Sequence, residues 1–267
     1  MSLFEVISGS EFNEKYEGII FYKLTNDTEN HHGLQYKDGL NEDIIPFSPK
    51  GECTSGGIYF TDEKNIEKWI HCCNDSIVKW IREVRIPNDA KNYIEKNKYK
   101  TDKIILNERK LFWEIEKLCK LAVQQDGYAL VCVKIQTEEI CKLAVQQNGI
   151  ALVCVKIQTE EICKLAVQQN GHALKYVEIQ TEEICKLAVQ QNGFALEHVK
   201  IQTEEICKLT VQQNGFALKY VKIQTEEICK LAVQEDGLAL EFVKIQTEEI
   251  CKLAVQKNEF ALQFVQK

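Results

Sequence analysis

The hydrophobic and polar positions of the C-terminal half recur with a period of 22 residues. One copy, residues 137–158, reads Thr-Glu-Glu-Ile-Cys-Lys-Leu-Ala-Val-Gln-Gln-Asn-Gly-Ile-Ala-Leu-Val-Cys-Val-Lys-Ile-Gln, and seven copies follow one another between Cys119 and Lys267. A period of this length is typical of a stacked array, because no unit buries its own apolar face and neighbouring units bury it instead. The pattern therefore predicts a solenoid over more than half of the chain.

Each copy predicts two short helices joined by a glycine turn. Thr137 is a suitable N-cap, and Glu138 and Glu139 follow where carboxylates favour the positive end of the helix dipole. We expect this first helix to run from Glu138 to Gln147. Gly149 should end it, because glycine readily adopts the left-handed conformation of a C-terminal cap.

The second predicted helix has one constant and one variable face. At helical spacing, Ala151, Leu152 and Val155 gather on one side, and positions 150, 153 and 154, which vary between copies, gather opposite. The variable face carries an aromatic or apolar ladder, which predicts partner-binding anchors, since aromatic side chains on rigid surfaces are frequent interface hot spots. Packing between successive second helices is the alternative explanation. The candidate partner-binding residues are His172, Tyr176, Phe194, His198, Phe216, Tyr220, Leu238, Phe242, Phe260 and Phe264.

A cysteine recurs at one position of every copy, at residues 119, 141, 163, 185, 207, 229 and 251. Stacked helices lie ~8–10 Å apart, too far for a disulfide or for shared zinc ligands. Cysteine behaves as a small apolar residue when buried, so we predict that this column fills the core.

Residues 1–110 lack the repeat and predict an α+β domain, whereas residues 111–267 predict the all-α solenoid of seven helix-turn-helix units. Strands are expected where β-branched and aromatic residues cluster, and a helix is expected over Asp62 to Ile70 with Thr61 as its cap. A polar stretch from Asn26 to Gly51 predicts long loops. The expected strands cover residues 19–24, 57–60, 81–86 and 103–106.

Three groups of residues in the first domain suggest weak chemical candidates. Cys53, His71, Cys72 and Cys73 are residue types that bind zinc, but two adjacent ligands strain tetrahedral closure and no Cys-x-x-Cys pair is present. His31-His32 could act as a proton shuttle near neutral pH, or the two histidines could simply lie in a solvated loop without a function. Gly56-Gly57 lacks the glycine spacing of a phosphate-binding loop. We therefore predict no catalytic residue, no metal and no cofactor.

Charge and hydropathy exclude two classes of partner. The chain carries a net charge of −7, and its Lys and Glu are balanced within each repeat, so no basic stripe is available for nucleic acid. No apolar run approaches the ~18 residues that cross a bilayer. Twelve cysteines without a secretory leader favour a reducing, intracellular compartment.

Several strings of the first domain resemble the N-terminal domain that precedes repeat arrays, including ankyrin arrays, in Mimivirus-type giant-virus proteins. The 22-residue unit is similar to short repeats of uncharacterised giant-virus and bacterial proteins. This resemblance covers nearly the whole chain and implies a viral origin with an unassigned activity. The strings are residues 21–26, 32–41, 56–61, 82–87 and 103–106.

A second resemblance involves Gly57-Ile58-Tyr59-Phe60, which looks like a strand of ADP-ribosyltransferases. In that family the tyrosine stacks on nicotinamide, which would place Tyr59 there. The family's first-strand histidine is replaced here by Tyr22-Lys23, and Glu83 is only a loose match for the catalytic glutamate. The resemblance implies an enzyme as the alternative function, with the array selecting its substrate.

The leading hypothesis is a non-enzymatic scaffold or adaptor of a giant virus. We expect it to bind a host or viral protein through one face of the array, in the host cytoplasm or the virion, with self-association left open. Neither nucleic acid nor a membrane is expected as a partner.

Overall fold

The computed structural model describes residues 5–50, 54–69, 78–96 and 98–266. The chain divides into two compact units, the first extending to Ala122 and the second beginning at Val123. The predicted fold class is confirmed, because the first unit contains a mixed α/β sheet and the second contains successive helical repeats. The predicted domain boundary after residue 110 stays a prediction.

The first unit is built on an antiparallel sheet of nine strands in the order β1-β8-β9-β6-β2-β7-β10-β5, with β11 also pairing with β7. Strands β3 and β4 form a separate two-stranded sheet, and helix α1 spans Gly9–Lys15. The strands are Glu5–Ser8 (β1), Phe21–Thr25 (β2), Asn30–His31 (β3), Leu34–Gln35 (β4), Gly39–Glu42 (β5), Ile58–Asp62 (β6), Trp80–Arg85 (β7), Lys91–Ile94 (β8), Tyr99–Thr101 (β9), Lys103–Leu106 (β10) and Lys110–Leu111 (β11).

An aromatic cluster forms the core of this unit. Phe12 of α1 packs its ring against Phe21, Phe60 and Tyr99, with centroids 5.1, 5.8 and 5.6 Å away. These four side chains are buried, and offset or edge-to-face rings of this kind stabilise a core beyond the area they bury. The cluster fixes α1 against the centre of the sheet.

Two local predictions for the first unit were wrong. The expected helix over Asp62 to Ile70 is instead the end of β6 followed by a short 3-10 helix at Ile66–Trp69, and Thr61 is a strand residue. Sheet pairing with Tyr22 of β2 draws Thr61 into β6. The expected loop between Asn26 and Gly51 contains β3, β4 and β5.

The second unit alternates α-helices with 3-10 helices. Helices α2 to α8 are Glu116–Gln125, Glu138–Gln147, Glu160–Gln169, Glu182–Gln191, Glu204–Gln213, Glu226–Glu235 and Glu248–Lys257. The 3-10 helices that follow them are Gly127–Cys132, Gly149–Cys154, Gly171–Tyr176, Gly193–His198, Gly215–Tyr220, Gly237–Phe242 and Glu259–Phe264.

The first helix of each repeat forms as predicted. In α3, the Thr137 hydroxyl accepts a hydrogen bond from the Ile140 N–H, and the apolar side, including Cys141 and Val145, is buried. On its outer side, Lys142 pairs with Glu138 at 3.0 Å. The same helical pattern places an amphipathic helix every 22 residues.

The glycine of each repeat has a different role from the predicted cap. Gly149 does not adopt a left-handed conformation; it begins the 3-10 helix, which Asn148 caps by accepting from the Ile150 N–H at 3.0 Å. A Cβ on Gly149 would lie 2.4 Å from the carbonyl oxygen of Ala166 in the next repeat. Glycine is therefore required by the close approach of neighbouring repeats.

A glutamine at the end of each repeat hydrogen-bonds to the next one. The amide nitrogen of Gln180 donates to the carbonyls of Leu174 at 3.2 Å and His198 at 3.0 Å, and its oxygen accepts from the Lys200 N–H at 2.9 Å. The Cys185 thiol donates to the same oxygen at 3.8 Å. Equivalent bonds to the following repeat recur at Gln136, Gln158, Gln202, Gln224 and Gln246.

This arrangement predicts a large effect of Gln202→Met. The substitution keeps the side-chain volume but leaves the carbonyl of Tyr220 and the N–H of Lys222 without the bond from Gln202. The Leu196 carbonyl loses one of two hydrogen bonds and keeps the one from the Val199 N–H. We expect the free energy of unfolding to fall by about 2–4 kcal/mol, measured by urea unfolding with far-UV circular dichroism. Gln212→Met, at an exposed position of the same unit, is the control, and an equal loss in both variants would contradict the prediction.

The glycine packing makes a second prediction. A Cβ on Gly215 would lie 2.5 Å from the Ala232 carbonyl, whereas one on Gly193, facing Thr210 instead of alanine, meets nothing closer than 3.3 Å. Gly215→Ala should therefore destabilise the array by about 1–3 kcal/mol, the usual cost of overpacking. Gly193→Ala should have a much smaller effect in the same unfolding experiment. Equal changes would show that conformational freedom, rather than space, selects glycine here.

Candidate functional site

The predicted ladder lies along the 3-10 helices, where its side chains are half-buried. Ala151 and Leu152 face inwards without exposure, whereas Ile150 and Cys154 on the variable face are partly exposed. Of the ten candidate residues, nine are half-buried in the same way, and Phe260 in the last repeat is 68% exposed. The division into a constant inner face and a variable outer face is confirmed.

Three pairs of ladder rings from successive repeats contact each other edge to face. The ring centroids of Phe194 and Tyr220 are 6.0 Å apart, and those of Phe216 and Phe242 are 5.9 Å apart. His172 and His198 make the equivalent contact at 5.7 Å. Each ring of these pairs is thus held by a ring of the adjacent repeat while part of its surface remains open to solvent.

Charged side chains border this ladder. The Lys219 ammonium lies 5.0 Å from the Phe194 ring and 4.7 Å from the Tyr220 ring, within the range of cation–π attraction. Burial lowers the pKa of His198, against the opposing effect of Glu197. The ladder therefore combines aromatic surface with neighbouring charged side chains.

A row of exposed isoleucines is a surface that the sequence analysis missed. Ile157, Ile179 and Ile201 are 79–80% exposed, and equivalent residues recur at 135, 223 and 245. The preceding lysine is fixed beside the row, since Lys200 Nζ donates to the Glu178 carbonyl of the previous repeat at 2.9 Å. The segment Val-Lys-Ile-Gln could have indicated it, because its isoleucine falls outside both predicted helices.

The cysteine column is buried, as predicted, except at Cys251 in the last repeat, which is half-buried. Cys141, Cys163, Cys185, Cys207 and Cys229 have almost no exposed surface, and burial raises the pKa of each thiol. At neutral pH these thiols are protonated and donate to glutamine, so they contribute to packing instead of nucleophilic chemistry. Among the described residues, no group of three or more His, Cys, Asp or Glu side chains is placed to hold a metal ion. The weak zinc candidates Cys53, His71, Cys72 and Cys73 lie outside that part of the chain.

The first unit contains a cavity of about 220 Å³ between β2 and β6. The two strands pair at Phe21–Asp62 and Tyr22–Thr61, and residues of both strands line the cavity. It is lined by Tyr22, Lys23, Leu24, Thr25, Asn26, Asn30, His31, His32, Tyr36, Tyr59, Phe60, Thr61 and Trp69.

A buried ion-pair network holds the polypeptide beside this cavity. Arg82 of β7 donates two hydrogen bonds to the Glu29 carboxylate at 2.9 and 3.0 Å and one to Asp38 at 2.5 Å, and Arg109 also contacts Glu29 at 3.0 Å. Burial would raise the pKa of the Glu29 carboxyl. The hydrogen bonds from Arg82, Arg109 and Thr25, together with the positive charge of Arg82, outweigh burial and hold this pKa below its ordinary value. The network anchors residues 25–38 against the sheet.

The predicted solvated loop pair is only half right, because His32 is exposed in the turn after β3 whereas His31 is not. His31 belongs to β3 and is half-buried, and its ring centroid lies 4.1 Å from that of His32. Burial, followed by the charges of Lys23 and His32, lowers the pKa of His31 to about 4, although Asp43 acts in the opposite direction. His31 is therefore neutral at physiological pH.

The residues of the second resemblance are only partly brought together. Tyr59 and Tyr22 line the cavity, and Tyr59 stacks on Trp69 with centroids 6.5 Å apart. Glu83 pairs with Tyr22 across the strands but is not among the described residues that line the cavity, and its carboxylate contacts Lys110 at 3.5 Å.

Comparison with known proteins supports the first resemblance. Residues 137–180, 159–203 and 181–224 match a family described as a domain of unknown function (DUF4116). A putative ankyrin repeat protein of Acanthamoeba polyphaga mimivirus is 30% identical over 89 residues, or 33% of this chain and 42% of that protein. An uncharacterized protein of the same virus is 33% identical over 95 residues, or 35% and 59% of the two chains.

Another putative ankyrin repeat protein of this virus is 37% identical over 82 residues, covering 28% of this chain and 25% of its own length. The predicted similarity to Mimivirus-type repeat proteins is thus confirmed. The chain spans about half the length, or less, of these relatives. No solved structure matches the chain. In the described part, every helix is too short or too polar to cross a membrane.

Proposed function

We propose that this chain is a non-enzymatic scaffold that binds a host or viral protein through the aromatic ladder of its array. The observation that carries the proposal is the row of half-exposed ladder side chains, in which three pairs of rings from adjacent repeats contact each other. Rigid aromatic anchors contribute strongly to protein interfaces, because little side-chain freedom is lost on binding. The name "ankyrin repeat protein" carried by two relatives supports the same class of function.

Charge pairing on the helical side of the array favours a protein partner over nucleic acid. Lys164 pairs with Glu160 at 3.0 Å in its own repeat and with Glu183 at 2.7 Å in the next. The same double pairing recurs at Lys186, Lys208 and Lys230. These lysines are neutralised within the array, whereas phosphate binding depends on lysines free to replace counterions. We place the scaffold in the host cytoplasm or the virion.

The double variant Phe216→Ala/Tyr220→Ala tests the ladder. Each half-buried ring should contribute about 1–2 kcal/mol to stability, less than the ~3–5 kcal/mol of a fully buried one. Proteins captured by the full chain from virus-infected cells should be lost from this folded variant, as quantified by mass spectrometry. The matched control, Ile201→Ala/Ile223→Ala, changes the exposed row and should retain them. Capture that survives loss of both rings, or a stability loss of the fully buried size, would overturn the proposal.

An enzyme acting through the first unit is the alternative, and the position of Tyr59 in the cavity favours it. If the cavity accepts nicotinamide, NAD should raise the melting temperature of the native chain and leave that of Tyr59→Ala unchanged. Calorimetry of the two proteins measures this directly. An unchanged melting temperature in the native chain would eliminate the alternative.

A further inference from the structure

The Lys23 ammonium is a buried positive charge at the wall of the cavity. Lys23 belongs to β2 and is only 7% exposed. Its Nζ donates to the Tyr59 carbonyl at 2.8 Å and lies 4.9 Å from the Tyr36 ring centroid. A lysine ammonium has three N–H donors, so this single hydrogen bond leaves two for another acceptor.

This charge differs from the buried ion pair of the same unit and from the Lys100 ammonium, which is fully buried but donates to the carbonyls of Ser48, Lys50 and Ser55 and to the Thr54 hydroxyl. Arg82 and Glu29, which are 4% and 3% exposed, form a two-point ion pair. Among the side chains that the structure describes, no carboxylate lies within ion-pair distance of Lys23. Removing an ammonium from water is costly unless an anion compensates for the lost hydration. The cavity is thus electrostatically suited to an acidic ligand.

The remaining walls define the shape and the charge of that ligand. Tyr36 lies beside the ammonium, and Tyr59 and Trp69 stack with an interplanar angle of 22°. These rings favour a flat apolar body. Among the described residues that line the cavity, Lys23 supplies the one ammonium, and the neutral His31 adds no further positive charge. This single charge matches a singly charged carboxylate better than a doubly charged phosphate.

We propose that the cavity between β2 and β6 binds a small planar organic carboxylate, with its carboxylate on Lys23 Nζ and its ring against Tyr36 and Tyr59. This site is separate from the array ladder and does not depend on the scaffold function. The cavity volume of about 220 Å³ accommodates a single-ring acid. The bound anion would compensate the charge of Lys23 as the Glu29 carboxylate compensates the charge of Arg82.

Benzoate and benzamide test the proposal, because they share size and shape and differ in charge. Calorimetric titration of the native chain should show benzoate binding about ten- to a hundredfold more tightly than benzamide, the effect of one charge-assisted hydrogen bond. Equal affinity for the two compounds, or benzoate binding undetectable at millimolar concentration, would overturn the proposal. Since this comparison needs no variant, it is decisive even if a substitution fails to fold.

Lys23→Met then locates the site. Methionine fills similar space without charge, so the fold should persist while the preference for benzoate disappears. Lys37→Met, on the exposed segment after β4, is the matched control and should bind benzoate as the native chain does. A preference for benzoate that survives in a folded Lys23→Met variant would place the anion elsewhere and refute the assignment.

Discussion

The repeat array depends on one glutamine amide in each unit. Gln180 contacts carbonyls of two successive repeats and accepts from a main-chain N–H of the second, so it sets both their distance and their orientation. Apolar contacts alone are non-directional and would allow neighbouring repeats to slide. A half-buried amide with several bonds permits one arrangement, because each alternative leaves polar groups unpaired. The regular spacing of every outward side chain follows from this constraint.

The same constraint explains which positions are free to vary. Ala151 and Leu152 are enclosed by neighbouring repeats, and Gly149 has no room for a Cβ. The ladder positions, in contrast, are partly open to solvent, and histidine, tyrosine, phenylalanine and leucine all occur there. An array built in this way can change its outer side chains without changing its fold.

Charge burial is the corresponding constraint in the first unit. Glu29 is stabilised by two arginines, and the resulting network holds one side of the cavity. Lys23 has a carbonyl and an aromatic ring in place of a carboxylate. The two units therefore differ in the surfaces they expose. The array exposes the half-buried ladder side chains, whereas the first unit contains a cavity with a buried ammonium at its wall.

The amino-acid sequence by itself determined the repeat length, the first helix of each unit, the buried cysteines and the variable outer face. These follow from local capping and from helical periodicity, which are legible along a single chain. The predicted role of Gly149 as a C-terminal helix cap was wrong, because the contact that requires glycine there is with Ala166 of the next repeat. The role of Gln180 was not predicted either, because its partners lie up to 20 residues away. The cavity around Lys23 and Tyr59 was decided by tertiary structure alone, because the residues that line it are distant from one another in the sequence.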